Sequence, residues 1–228
     1  MPNLRASILG VVAALSLPIA AATAPPAENF LPALPGTVVQ AQVVFLQGDG
    51  NHARWKAVTS KKLIGSGNGR DFYQWWLSIY QMRGEAYRLR YQSPGSGGPL
   101  SKVTQASGAK MWFPVQDVKI VGQASMMRPG VQQLVVQSHE MAADCGSATV
   151  SVFASGPGSN AARAISVTNA CELSATIVHG ETGDTLQLTG PYYAANAPLC
   201  CPTKAHATAM LSHLSGKWTI TPSYFKIK

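Results

Sequence analysis

Short runs of β-branched and aromatic residues, cut by clusters of Gly, Pro, Asn and Asp, recur along almost the whole chain, and this rhythm restricts the fold most. Such runs are too short for a helix bundle and carry the residue types that fit a pleated, half-buried surface. Val38 to Leu46 is the first run, closed by Gly48-Asp49-Gly50-Asn51. Arg54 to Ile64 follows and ends in Gly65-Ser66-Gly67-Asn68-Gly69. Leu134 to Gln137, Ala148 to Ala154, Ala164 to Thr168, Ala175 to His179, Thr185 to Thr189, Ala207 to Leu214 and Lys217 to Thr221 read as further strands. Ser155-Gly156-Pro157-Gly158, Gly180 to Asp184 and Ser215-Gly216 have hairpin length and turn chemistry. The expected fold is mainly β, with antiparallel meander or sandwich-like sheets, little helix and a disulfide-stapled C-terminal half.

Two periodicities compete over Phe72 to Met82. Phe72, Trp75, Trp76, Ile79 and Tyr80 follow helical spacing behind a possible cap at Asp71, whereas Trp75, Leu77 and Ile79 alternate as in a strand. Tyr87, Leu89 and Tyr91 continue the alternation after a break at Arg83-Gly84, and the strand-like neighbours tip the segment to a strand or hairpin. Leu100 to Ala106 has room for one or two helical turns. Met111 to Val121 returns to strand character, with Pro114 marking an edge or a bulge.

Residues 1–22 read as a secretory signal: Arg5 supplies a basic start, Ile8 to Ala20 is apolar, and small residues offer a cleavage site after Ala22. The apolar stretch is shorter than the roughly 20 residues that span a bilayer. Residues 23–36 form a Pro- and Ala-rich extended leader, 37–129 a basic β-rich module, and 130–228 a cysteine-containing β module, with Met127-Arg128-Pro129-Gly130 as the boundary turn. Whether the modules are separate domains or share a sheet is open at this level. From Pro25 to Gly130 there are twelve Lys/Arg against five Asp/Glu, while Val131 to Lys228 carries five of each. The basic half favours anionic partners, and export disfavours nucleic acid among them.

Exported thiols oxidise, so Cys145, Cys171, Cys200 and Cys201 are expected in disulfides. If Val150 and Val152 share a core with Ile165 and Val167, strand parity points Cys145 and Cys171 to opposite faces. A Cys145–Cys171 bridge would then need a bulge or an irregular strand end. Cys200 and Cys201 also diverge if extended, and the simplest pairing sends one of them to Cys145 and the other to Cys171, in either order. A competing reading makes Cys200-Cys201 a redox or metal site, with His206, His139, Glu140 and Asp144 as further ligands. The spacing is not that of a paired Cys/His motif, so no metal or cofactor is implied.

The stretch Gly183-Asp184-Thr185-Leu186-Gln187-Leu188-Thr189-Gly190-Pro191-Tyr192-Tyr193, followed by Pro198-Leu199-Cys200-Cys201-Pro202-Thr203, resembles the C-terminal signature of the LppP/LprE lipoprotein group. In that group a strand and an acidic or Asn-containing loop precede Cys-Cys-Pro and a Trp-containing strand follows, which Leu214-Ser215-Gly216-Lys217-Trp218 matches. The resemblance covers 131–228 and implies an exported cell-envelope protein. It supplies no catalytic residues, and the lipid anchor does not carry over, because no cysteine follows the signal.

Catalytic motifs are missing. Gly65-Ser66-Gly67-Asn68-Gly69 places its serine wrongly for a nucleophile elbow, and Arg70 stands where a dinucleotide loop needs its third glycine. His139-Glu140 lacks a second histidine at zincin spacing, and the histidines at 52, 139, 179, 206 and 213 are dispersed. The candidate binding residues are Trp55, Tyr73, Trp75, Trp76 and Tyr80 with Arg88 and Arg90, since exposed aromatics beside arginine stack on sugars or grip anionic polymers. The same aromatics are also what a small β-domain puts in its core. The sequence thus leads to a non-enzymatic periplasmic or secreted protein, not lipid-anchored and with no span left after signal cleavage. Its expected partner is an anionic envelope polymer, a glycan or another envelope protein.

Overall fold

The computed structural model describes residues 34–46, 54–67, 70–93, 103–104, 110–111, 115–128, 130–140, 146–155, 161–195 and 202–228. Every element among them is a β-strand: β1 (Thr37–Val44), β2 (Trp55–Gly67), β3 (Arg70–Arg83), β4 (Ala86–Gln92), β5 (Val103–Thr104), β6 (Lys110–Met111), β7 (Val115–Arg128), β8 (Val131–Glu140), β9 (Ser147–Ser155), β10 (Ala161–Ala170), β11 (Ser174–Val178), β12 (Thr185–Tyr192), β13 (Lys204–Leu214), β14 (Lys217–Thr221) and β15 (Lys226–Ile227). All pairings are antiparallel. Residues 72–82 are strand, as the alternation requires. The helical turn expected at 100–106 is not found where that segment is described: Val103–Thr104 pairs with Lys110–Met111. Among the described residues no helix is long and apolar enough to cross a membrane.

Three sheets stack. A central sheet, ordered β15-β10-β9-β8-β7, lies between a first sheet β1-β2-β3-β4 and a second sheet β11-β12-β13-β14. Toward the first sheet, Val118, Ile120, Leu134, Val136 and Phe153 pack on Trp55, Ala57, Trp75, Leu77 and Ile79. Toward the second sheet, Val135, Val150, Val152, Ile165 and Val167 meet Leu186, Leu188, Ala209 and Leu211. The valines and isoleucines of the β9–β10 hairpin share one core, as parity anticipates. Burial on both faces also explains the continuous buried run Gln133–Val136 in β8, where a one-sided strand would alternate.

The division of the sequence at 129/130 falls at the turn between β7 and β8, which are neighbours in the central sheet. The two modules therefore share a sheet. β7 serves both cores because its register shifts between Ile120 and Gly122. The extra residue reverses the pleat, so Val118 and Ile120 face the first sheet while Ala124 and Met126 face the second. Where β7 and β8 fall out of register again near the turn, buried Gln133 accepts from the Met126 and Met127 N–H groups and donates to Val131 O.

Asp184 fastens the second sheet to this bulged strand. Its Oδ2 accepts from Ser125 N at 2.6 Å, its own N–H donates to Ser125 O at 2.9 Å, and His179 Nδ1 lies 3.0 Å from Oδ1. Burial alone would raise the carboxyl pKa, but the Ser125 N–H, the His179 imidazole and the Gly180 N–H outweigh it and hold the group below its ordinary range. A carboxylate with a depressed folded pKa stabilises fully above its unfolded value of about 3.9. That stabilisation is lost as pH falls through the folded pKa. Asp184→Ala is expected to cost about 2 kcal/mol at neutral pH and to flatten the acid limb of stability against pH. Urea unfolding from about pH 6 to about pH 3 measures both effects, and parallel acid limbs for variant and wild type would refute the assignment.

Candidate functional site

The aromatic candidates divide between core and surface. Trp55 and Trp75 lie in the core between the first and central sheets, at 0% and 6% exposure. Tyr80 is buried on the opposite face of β3, beside Lys56 of β2. These three present no surface to a ligand, for the physical reason that competed with the binding reading: large rings are what the sheet interior takes up. Trp76, opposite Ser60, is half-buried. Tyr73 is half-buried too, its ring capped by Lys61 Nζ at 4.2 Å from the centroid. The same ammonium stands 5.5 Å from the Trp75 ring.

The arginines fare differently. Arg88 is exposed and Arg90 is half-buried on β4, the edge strand of the first sheet. Gln81 of β3 pairs with Arg88 and is only 2% exposed. Its Oε1 accepts from Arg90 Nε at 3.0 Å and from Arg83 Nε at 3.2 Å. The two Nε atoms are thus at most about 6 Å apart, by the sum of these distances. A register shift of the β3–β4 ladder at Ile79/Tyr80 makes Arg90 the extra residue and turns it toward the face that carries Gln81 and Arg88. Next along the strand, Tyr91 packs at a tilt against Phe153 with ring centroids 4.9 Å apart, and Arg163 of β10 donates to the Tyr91 hydroxyl at 3.4 Å. Arg83, Arg88, Arg90 and Arg163 therefore gather where the first and central sheets meet.

Among the described residues no carboxylate forms an ion pair with this cluster. Among the described residues the ion pairs are His139–Asp117 and His179–Asp184, and no lysine or arginine is ion-paired. Two guanidinium groups this close repel by on the order of 1 kcal/mol at a water-exposed surface. An oxyanion placed between them reverses the sign of that term and suits the planar donor forks. Arg83 and Arg163 were not singled out from the sequence. Arg83 reads there as the start of a turn, and its position across the Gly84 turn from Arg88 and Arg90 is the signal that would have found it.

Of the cysteines, Cys145, Cys200 and Cys201 lie outside the described residues. Cys171 is disulfide-bonded. It follows β10 in the left-handed region, with φ of 66°, and its N–H donates to Gly146 O at 3.0 Å. The Tyr193 hydroxyl donates to its Sγ at 3.1 Å. His139 makes no catalytic constellation: its Nδ1 meets Asp117 and its Nε2 meets the Gln137 amide, both on neighbouring strand positions. Among the described residues no group of three or more His, Cys, Asp or Glu could hold a metal ion. No protein-family model matches the sequence, and no curated protein or solved structure matches it either.

Proposed function

We propose that this chain is an exported, non-enzymatic cell-envelope protein that binds an anionic polymer through the arginine face of β4 and β10. The carrying observation is the pair Arg83 and Arg90, both held on the buried Gln81 Oε1 with no carboxylate partner among the described residues. A buried amide that accepts from two cations holds both guanidinium groups in place before any ligand arrives, which lowers the ordering cost of binding. Arg88 and Arg163 extend the charge along the sheet junction, a shape suited to a chain of repeated anions. The basic excess of residues 25–130 and the export signal support the same reading, and so does the resemblance to LppP/LprE lipoproteins. In this reading the four cysteines form structural disulfides that brace the second sheet against the central one, consistent with the bonded Cys171 at their junction.

Polygalacturonate, with dextran as the uncharged control, tests the assignment. Binding to the polyanion is expected to weaken about tenfold when NaCl is raised from about 50 to about 300 mM. Arg88→Glu combined with Arg90→Glu is expected to weaken it at least about tenfold while the far-UV spectrum stays that of the wild type. Unchanged affinity in that double variant, or equal binding of dextran, would sink the proposal.

A further inference from the structure

At the far end of β10 from Arg163, the chain forms an open pocket of about 380 Å³. Its floor is small and polar: Gly146, Ser147, Thr168, Asn169 and Ala170. Tyr193 and Tyr224 form aromatic walls, and Lys226 and Lys228 stand at its edge. None of the lining side chains is acidic. The volume lies within the range of small-molecule sites.

Both tyrosines are tethered by their hydroxyl groups. Tyr193 donates to Cys171 Sγ at 3.1 Å, and the Tyr224 hydroxyl accepts from Lys204 Nζ at 2.7 Å. Tyr224 also packs against Tyr192, with ring centroids 4.9 Å apart. The rings are thereby fixed before a ligand arrives, and with their hydroxyls engaged what they offer is a π-face. A third lysine, Lys204, adds its charge behind Tyr224. The side-chain amide nitrogen of Asn169 is committed to Glu172 O and Pro191 O, at 2.8 and 2.7 Å. Its carbonyl oxygen is left to accept from a ligand hydroxyl.

Aromatic faces, a floor that lets a ring lie close to backbone, hydroxyl and amide groups, and an ammonium rim make a consistent set. From it we infer a second binding site, independent of the arginine face, for an acidic monosaccharide unit. The sugar face would stack on Tyr193 or Tyr224, its hydroxyls would meet Ser147, Thr168 and Asn169, and its carboxylate would lie between Lys226 and Lys228.

Titration of the isotope-labelled full chain with methyl β-glucuronide, followed by amide NMR, tests this site. The expected result is saturable shifts at Gly146, Ala170, Tyr193 and Lys226 with a Kd of about 1 mM. Lys226→Gln with Lys228→Gln, both exposed in the wild type, should weaken binding about tenfold, as should replacing the ligand by methyl β-glucoside. The arginine double variant should bind the glucuronide as the wild type does, so the two sites fail separately. The inference is overturned by shifts that map to the arginine face, by equal binding of the neutral glucoside, or by sodium phosphate giving the same shifts at the same affinity.

Discussion

Gly190→Ala is expected to lower the unfolding free energy by about 3 kcal/mol, because β12 passes too close to the backbone after β10 to carry a Cβ. A Cβ at 190 would overlap Glu172 O and sit 3.3 Å from Glu172 C and 3.1 Å from Asn169 Nδ2. The nearest atom, Glu172 O, is main chain, so no side-chain rotation relieves the clash. Asn169 holds the two segments together, donating from one amide nitrogen to Glu172 O and Pro191 O. Cys171 bends the chain into this approach with its positive φ, and Leu173 just beyond is fully buried. Pushing Glu172 aside would therefore disturb a core residue and stretch the Asn169 hydrogen bond to Glu172 O as well as meet repulsion. Gly65→Ala is the control, since a Cβ there meets nothing within 4 Å and Gly65 is not at positive φ. It should be neutral or stabilising by under about 1 kcal/mol. Thermal melts should separate the two by roughly 6 to 12 °C. Coincident melts would mean that the close approach does not exist in solution.

The strand pattern was legible because burial in this fold mostly alternates. Where it failed to alternate, a second layer was the cause. The helical spacing of Phe72, Trp75, Trp76, Ile79 and Tyr80 arises because β3 is buried on both faces around Ser78 and Tyr80. Adjacent apolar positions in a two-faced strand imitate i, i+3, i+4 spacing. The continuation of β7 past Val121 had no signal, since Gly122, Gln123 and Ser125 are poor strand formers read alone. Tertiary partners place them: Ser125 on Asp184, Gln123 on β1. The candidate site was half legible. Arg88 and Arg90 stood out by charge, whereas the face they share with Arg83 depends on a bulge and on a glutamine whose burial no local pattern betrays. Trp55 and Trp75 misled because a ring's chemistry is the same in a core as in a binding surface.

Gln40→Leu combined with Gln123→Leu is expected to cost about 3 to 4 kcal/mol and to make the protein aggregate. β1 and β7 are edge strands of the first and central sheets, and their exposed backbones need partners. Gln40 supplies both hydrogen bonds for Ile120 at the β7 bulge: its Nε2 donates to Ile120 O at 3.1 Å, and its Oε1 accepts from Ile120 N at 2.9 Å. Gln123 returns the arrangement, accepting from Phe45 N at 2.7 Å and donating to Val43 O at 3.2 Å. Four hydrogen bonds at about 1 kcal/mol each set the scale. Because both amides fasten the same two strands, losing one loosens the other, so the double variant should cost less than the sum of the singles by up to about 1 kcal/mol. The freed edge would carry Val39, Val43 and Phe45, each already 45 to 47% exposed. An apolar strand with open backbone groups pairs with its copies. Urea unfolding of the two singles and the double gives the coupling, and light scattering follows association. Additive, non-aggregating variants would show that other contacts hold these two edges together.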